Sequence, residues 1–348
     1  MTEYFDSLKA GRITQSSGWV ILDKPSGMSS HAAGGRVARL FGVKKFGHLG
    51  TLDPMASGVL PIALGEATKM IPFIPPHRGG AARPGPRRNR KISVGGRMRG
   101  EGGSESEKEY IFSIEWGFET DTLDSTGKTI RRDDRRPSYD EIVAACEKFL
   151  GDIDQVPPAY SAVHIGGRRA YELARKGAEV SLPARRVRID DLFLYFGGPF
   201  DAMEDSTFIV KCGAGTYVRA LARDIGTAAG GSLATVDMIR RTRTHGFTIK
   251  DAKSLDFLEN LVHNSPHEVQ NYLHPVDFGL DDILVTELNQ NDGMRFKHGN
   301  FIEIAVSREQ AAGKATNSVR RVYSENQFVG IGEIQENVLK PKRIINNG

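Results

Sequence analysis

Cysteine is almost absent from this chain. Cys146 and Cys212 are the two cysteines among 348 residues, with no Cys-x-x-Cys pair and no companion histidine at metal-ligand spacing. That excludes a disulfide framework and gives no support to a structural zinc site, so both read as buried residues of apolar character. Long apolar runs are missing too, and the start Met1-Thr2-Glu3-Tyr4-Phe5-Asp6 lacks a basic stretch followed by an apolar one. A soluble, cytoplasmic protein without a membrane span is expected. No segment repeats at a fixed period. Charge of one sign is scarce overall, with 47 Lys and Arg against 43 Asp and Glu and a formal net charge of +4. Its distribution is uneven: Pro76 to Arg99 holds eight basic residues and no acidic one, so the remainder, with 39 basic and 43 acidic residues, is net negative.

The length allows two domains and a substantial core. Residues 76–108 are rich in Gly, Arg and Pro and poor in apolar periodicity, and they read as a disordered or hairpin-like insertion. Such a segment is either an arm that contacts a nucleic-acid backbone or a passive surface loop. Trp19 to Lys24 reads as a short apolar strand leading to a loop, after which Ser29 and Ser30 can cap a helix from His31 to Phe41. The alternation from Tyr110 to Gly117 predicts a half-buried strand, and Ser138 to Leu150 a helix. A mixed segment follows, Gln155 to Gly177, with a basic helix-like tail from Arg168 to Lys176; then come a strand over Phe208–Lys211, a turn at Gly213–Gly215 and a helix from Val218 to about Ala229. This irregular order favours an α+β domain over repeated βαβ units. From Ile283 onward, short alternating segments (Phe301–Val306, Val319–Tyr323, Gln327–Ile331) predict a small β-rich module. Its closing Lys340, Lys342 and Arg343 suit phosphate contact or form a solvated tail.

The most informative stretch is Gly47-His48-Leu49-Gly50-Thr51-Leu52-Asp53-Pro54, continued by Ala56-Ser57-Gly58-Val59-Leu60-Pro61. Pro54 pushes Asp53 toward extended backbone. Gly47, Gly50 and Gly58 permit tight bends and the close approach of a ligand. One carboxylate is thereby presented on a stiff loop, five residues after an imidazole. With the segment Trp19 to Ser30 and with Gly65-Glu66-Ala67-Thr68-Lys69, this block resembles the signature region of the bacterial tRNA pseudouridine(55) synthase (TruB) family. The resemblance spans most of residues 18–74 and resumes at Tyr110, Gln155–Ala162, Gly215–Arg219, Val329–Glu333 and Leu339–Arg343.

The resemblance implies an α+β pseudouridine-synthase fold, with a central mixed or antiparallel sheet flanked by helices over residues 1–280. An RNA-gripping thumb at 155–181 and a small β-rich PUA-like RNA-binding domain at 281–348 are implied with it. It also implies that uridine in the T loop of tRNA becomes pseudouridine. That reaction breaks C1′–N1, turns the base and joins C5 to C1′, so neither a cofactor nor a metal is expected. Asp53 is the implied catalytic carboxylate, adding at C1′, adding to the base or helping to remove a sugar proton. Burial alone would raise its pKa, and the implied cationic partner is Arg219. Tyr110 supplies a ring face and a hydroxyl, and Tyr217 and Ile239 line the uracil pocket. His48 takes the place of the flipped nucleotide. Lys24, Tyr160, His164, Arg168 and Arg169 are the implied RNA contacts. His164 stands where the family commonly has a lysine, which puts one phosphate contact in doubt or makes it pH-dependent.

The ending Val329–Arg343 favours a stand-alone enzyme acting on tRNA over the guide-RNA-dependent archaeal and eukaryotic relatives, and a monomer is the expected state. A non-catalytic RNA-binding or tRNA-folding protein is the alternative reading. A glycoside hydrolase would want a second carboxylate with the standing of Asp53, and Asp23 lacks it. A metal hydrolase on His31, His48 and Asp53 matches no ligand spacing.

Overall fold

A computed structural model describes residues 17–74, 108–178, 180–197, 204–304 and 317–346. Their first part holds strands β1 (Gly18–Lys24), β2 (Phe46–His48), β3 (Ser57–Leu64), β4 (Lys108–Trp116), β5 (Phe118–Thr120), β6 (Thr129–Arg132) and β7 (Gly151–Gln155). It continues with β8 (His164–Ile165), β9 (Arg168–Arg169), β10 (Arg185–Gly197), β11 (Asp205–Cys212), β12 (Ala234–Thr244), β13 (Phe247–Thr248) and β14 (Lys253–Ser254). The helices among them are α1 (Ser30–Leu40), α2 (Tyr139–Lys148), α3 (Ala170–Ala174), α4 (Val218–Ala228) and α5 (Leu255–Asn264). One mixed sheet runs β14-β1-β3-β12-β4-β11-β10-β7, with β2 on β3 and β13 on β12. Its pairs are antiparallel except β1 with β14 and β12 with β3.

Side-chain alternation decides which face of this sheet meets what. Val20 and Leu22 of β1, Leu60 and Ile62 of β3, and Phe112 and Ile114 of β4 share one core with Val37 of α1, Ile142 of α2, Leu221 of α4 and Leu258 of α5. The intervening Trp19, Ile21, Val59 and Ala63 face the other way, into a second core with Phe247, Leu280, Ile331 and Ile345. The helices start where the sequence offers caps. Ser29 accepts from the backbone N–H of Ala32, and Ser138 forms a reciprocal capping box with Glu141. Both cysteines are buried, and neither is in a disulfide.

The last part holds β15 (Val285–Leu288), α6 (Gln290–Lys297), β16 (Ile302–Glu303), β17 (Asn317–Ser324), β18 (Gln327–Gln335) and β19 (Val338–Ile344) in a sheet ordered β15-β17-β18-β19-β16. It is the β-rich module expected, with α6 added. Asn289 caps that helix, and Phe296 anchors it in the module core. Two sequence expectations change. The basic helix over Arg168–Lys176 shortens to Ala170–Ala174, because Gly166 (φ 55°) and Gly167 (φ 82°) close a hairpin whose second strand takes Arg168 and Arg169. The insertion expected at 76–108 lies, apart from Lys108, outside the described residues.

Gly58 shows how tightly the sheet closes behind the Asp53 loop. It has φ 105°, and a Cβ there would lie 2.1 Å from the Arg241 carbonyl oxygen of β12. Gly58→Ala combines a left-handed strain with a backbone clash, so it should lose about 2–4 kcal/mol of stability in urea unfolding. A loss below about 0.5 kcal/mol would contradict this packing.

Candidate active site

Asp53 sits in the turn between β2 and β3, where Gly27 N–H bonds the Pro54 carbonyl (2.9 Å) and Ala56 N–H the Asp53 carbonyl (3.1 Å). The Asp53 side chain remains 38% exposed, while the Arg219 side chain facing it is 5% exposed. Arg219 lies in the first turn of α4, two residues after Tyr217, whose backbone N–H and carbonyl are both held by the Gln155 side chain (2.9 and 3.2 Å). From there Arg219 Nε donates to Asp53 Oδ2 at 2.9 Å, with Nη2 2.8 Å from the same oxygen. Nη1 donates to the Thr122 carbonyl (2.8 Å) and Nη2 to the Tyr160 carbonyl (3.0 Å).

A second carboxylate completes this arrangement. Asp124, 4% exposed, brings Oδ2 to 3.3 Å from Arg219 Nη1. Its Oδ1 accepts from the Thr122 hydroxyl (2.8 Å) and from the backbone N–H and hydroxyl of Thr126. Leu123, at φ 63°, supplies the left-handed residue that turns the loop toward α4. Sequence reading missed Asp124. Its signal was a carboxylate between Thr122 and Thr126 ahead of Gly127, the composition of a self-bonded turn.

Tyr110 and Ile239 lie on the adjacent strands β4 and β12, 7% and 4% exposed, in the same core as Leu52 and Ala56. Burial pushes the Tyr110 phenol up to about 12, against the pull of the Arg241 cation, its cross-strand neighbour. Arg241 also went unread, since a strand arginine is ordinarily solvent-facing. It is fully buried, with Nε donating to the Val59 carbonyl (2.9 Å) and Nη2 to the Gly50 carbonyl (2.8 Å). Gly50 has φ 69°, and a Cβ there would come within 3.2 Å of Arg241 Nη1, so this glycine admits the guanidinium. His48 is half-buried; burial, then the Arg241 and His31 charges, lower its pKa and favour the neutral imidazole. Its Nδ1 has no hydrogen-bond partner among the described residues.

Lys24 corrects an expectation. Read as an RNA contact, it is fully buried, and its ammonium donates to the carbonyls of Met28 (2.7 Å), Pro25 (2.8 Å) and Pro54 (3.3 Å). No donor is left pointing outward for a phosphate, and the side chain instead joins the loop after β1 to the Asp53 turn. Burial, then the Arg241 charge, pull its pKa down to about 8 against the attraction of Asp53. Tyr160 contributes its carbonyl to Arg219 and directs its hydroxyl to Asp121 Oδ2 (3.4 Å). His164, Arg168 and Arg169 stand apart from this cluster, on the exposed hairpin β8–β9, where His164 faces Arg169. Beneath the hairpin, Val163, Ala170 and Leu182 form a small core against Tyr217. Among the described residues, no cluster of His, Cys, Asp or Glu could hold a metal.

The fold, a large mixed sheet followed by a β-rich module, is shared with solved structures. The archaeal box H/ACA sRNP Nop10–Cbf5 complex matches with TM-score 0.60 at 18% identity, over 96% of this chain and 88% of that one, a likeness of fold. The N-terminal domain of the TruB family pseudouridylate synthases matches residues 38–78 and 101–218, and the C-terminal region of pseudouridine synthase II TruB matches 285–345. The first match breaks within the arginine-rich insertion. The tRNA pseudouridine synthase B of Caulobacter sp. (strain K31) is 38% identical over 332 residues, covering 94% of this chain and 96% of that protein. That of Caulobacter vibrioides is 37% identical over 334 residues, with the same coverage of both chains. The chain belongs to the TruB family of pseudouridylate synthases.

Two outcomes test the site. Asp124→Asn keeps the size and removes the charge behind Arg219, so kcat should fall roughly 10- to 100-fold with RNA affinity unchanged within about threefold; an unaltered kcat would show that Asp124 is only loop structure. Lys24 binds its proton more weakly folded (about 8) than at its ordinary value of 10.5. Between those values the unfolded chain carries the extra proton, so this group makes stability rise with pH across that window. In urea titrations, wild type should gain on Lys24→Met from pH 8 to 10.5, and parallel curves would contradict the burial of a titrating ammonium.

Proposed function

We propose that this protein isomerises uridine to pseudouridine in the T loop of tRNA, with Asp53 as the catalytic carboxylate. One observation carries the reading: a buried guanidinium grips one oxygen of Asp53 and leaves the carboxylate partly open. An acid so held can reach a ribose or base without rotating away, and its counter-charge cannot titrate. The reaction is an internal exchange. C1′–N1 breaks, the base turns, C5 bonds to C1′, N1 gains a proton and C5 loses one, so no electrons enter or leave. Asp53 adds at C1′, adds to the base or removes a sugar proton; the geometry is compatible with each.

Tyr110 and Ile239, diagonal neighbours on the adjacent strands β4 and β12, offer the uracil ring an apolar wall with one hydroxyl on it. At a pKa of about 12 the Tyr110 hydroxyl keeps its proton at neutral pH and acts as a hydrogen-bond donor. The target base is stacked in a folded loop, so it must be flipped out. His48, neutral and carrying an unsatisfied ring nitrogen, is suited to fill the gap by stacking and hydrogen bonding. The exposed β8–β9 hairpin, with His164, Arg168 and Arg169, is suited to grip the backbone. The curated relatives are named for tRNA, which supports that substrate.

The test is tritium release from tRNA labelled at uracil C5. Asp53→Asn should lower it by at least about 10³-fold while tRNA affinity changes less than about threefold. Release at the wild-type rate would remove Asp53 from the chemistry.

A further inference from the structure

α4 begins differently from the other long helices. α1, α2, α5 and α6 start behind Ser29, Ser138, Ser254 and Asn289, whose side chains accept from backbone N–H groups of the first turn. α4 starts behind Tyr217, in extended backbone (φ −103°, ψ 111°), with no side-chain cap. The connection leading into it, residues 213–216, contains two glycines, with Gly215 at φ 82°, and does not by itself fix where the helix points. Direction comes from Gln155, the last residue of β7, which is 1% exposed and paired through its backbone with Arg185 of β10. Its Oε1 accepts from the Tyr217 N–H (2.9 Å) and its Nε2 donates to the Tyr217 carbonyl (3.2 Å), the double exchange that two facing residues make in an antiparallel pair. The same carbonyl accepts the first helical bond, from the Leu221 N–H (3.0 Å). One turn along α4, Arg223 Nη2 donates to the Val156 carbonyl (3.0 Å) and so repeats the tie to the same segment.

We propose that Gln155 is a positioning residue for the isomerisation: its amide sets the start of α4 and thereby the line along which Arg219, two residues further on, holds Asp53. The proposal rests on the reading of Asp53 as the catalytic carboxylate. The contact is chemically specific. Holding the N–H and the C=O of one residue at once takes a group that both accepts and donates in one plane, and the primary amide does so without a charge. Asparagine would fall one methylene short, and an ionised glutamate could only accept. Arg219 reaches Asp53, the Thr122 carbonyl and the Tyr160 carbonyl with bonds of 2.9, 2.8 and 3.0 Å. A tilt of the helix start that carries the guanidinium about 1 Å away breaks them together, a misplacement that costs roughly 10²-fold in rate.

Gln155→Met and Gln155→Glu test this in the full chain, read by single-turnover pseudouridine formation at saturating enzyme and by the Kd for tRNA. Gln155→Met keeps the length and removes both bonds, so the rate should fall about 10- to 100-fold at every pH with Kd within about threefold of wild type. Gln155→Glu separates positioning from packing. Ionised, the carboxylate accepts from the Tyr217 N–H and repels the Tyr217 carbonyl; protonated, it restores the missing donor. Burial against a carbonyl raises this carboxyl above its ordinary pKa of about 4.3, so the rate of Gln155→Glu divided by that of wild type should rise about tenfold from about pH 8.5 to about pH 5.5. Division by wild type removes the titration of Lys24 and His48. The ratio for Gln155→Met should stay flat. Unchanged rates in both variants would overturn the positioning role, as would a Gln155→Glu ratio that ignores pH, or losses that merely follow the folded fraction in melting curves at each pH. Asp53→Asn run beside them separates the two readings. If it is inert while the Gln155 variants match wild type, the positioning role alone fails; if it reacts at the wild-type rate, the Asp53 assignment fails whatever the Gln155 profiles show.

Discussion

Arg219 commits all three guanidinium nitrogens to groups that the chain brings in from separate segments: the Asp53 turn, the Thr122–Asp124 loop and the Tyr160 loop. A buried guanidinium is costly to desolvate, and removing a partner from such a pair costs about 3–5 kcal/mol because the remaining charge stays buried. The geometry is therefore enforced from both ends. The fork needs acceptors in its plane, and the loops need a donor that no other nearby residue offers. A lysine could give the charge but not the planar, multidentate hold. Asp124 takes up the part of that charge that Asp53 does not, so the outer carboxylate is held from one side and left open on the other.

A second set of cations backs the same turn from within the sheet. Arg241 reaches the Gly50 and Val59 carbonyls, and Lys24 reaches Pro54. Both are fully buried, and both contact backbone carbonyls of the glycine-rich stretch. This explains why the stretch tolerates so little bulk: Gly50 makes room for a guanidinium, Gly58 for a neighbouring strand. Positive charge thus stands behind the carboxylate in the folded chain itself, a preorganised arrangement.

What the sequence disclosed followed from local rules. Pro54 and the glycines marked the turn, Ser29 and Ser138 marked helix starts, a short apolar run marked β1, and alternation marked β4 and β18. What it concealed was long-range. Asp124 acts through Arg219, on a helix far along the chain, and Arg241 through Gly50 and Val59, still farther off, and each looked like ordinary turn or strand-surface polarity. Lys24 misled for a different reason: its ammonium turns inward onto the Pro25 and Met28 carbonyls of its own loop and the Pro54 carbonyl of the Asp53 turn, a meeting that no pattern announces. The helix α6 was hidden by composition: Gln290–Lys297 carries Gly293 and few apolar residues, and it owes its place to the Asn289 cap and to Phe296 in the module core.

The seam between the large sheet and the β-rich module follows from the same alternation that built the core. β1 and β3 are apolar on both faces, so a single helical layer cannot satisfy them. Their second face is covered by Phe247 and Leu280 from the catalytic part together with Ile331 and Ile345 from the module. Such apolar burial opposes sliding of one part over the other, at roughly 25 cal/mol per Å2 covered. The turn Gly65–Lys69 is continuous with β3, and β3 begins at the Asp53 turn. The span between the Asp53 carboxylate and the module's contact at Gly65–Lys69 is thus set by one strand with both faces buried, which makes it a fixed length.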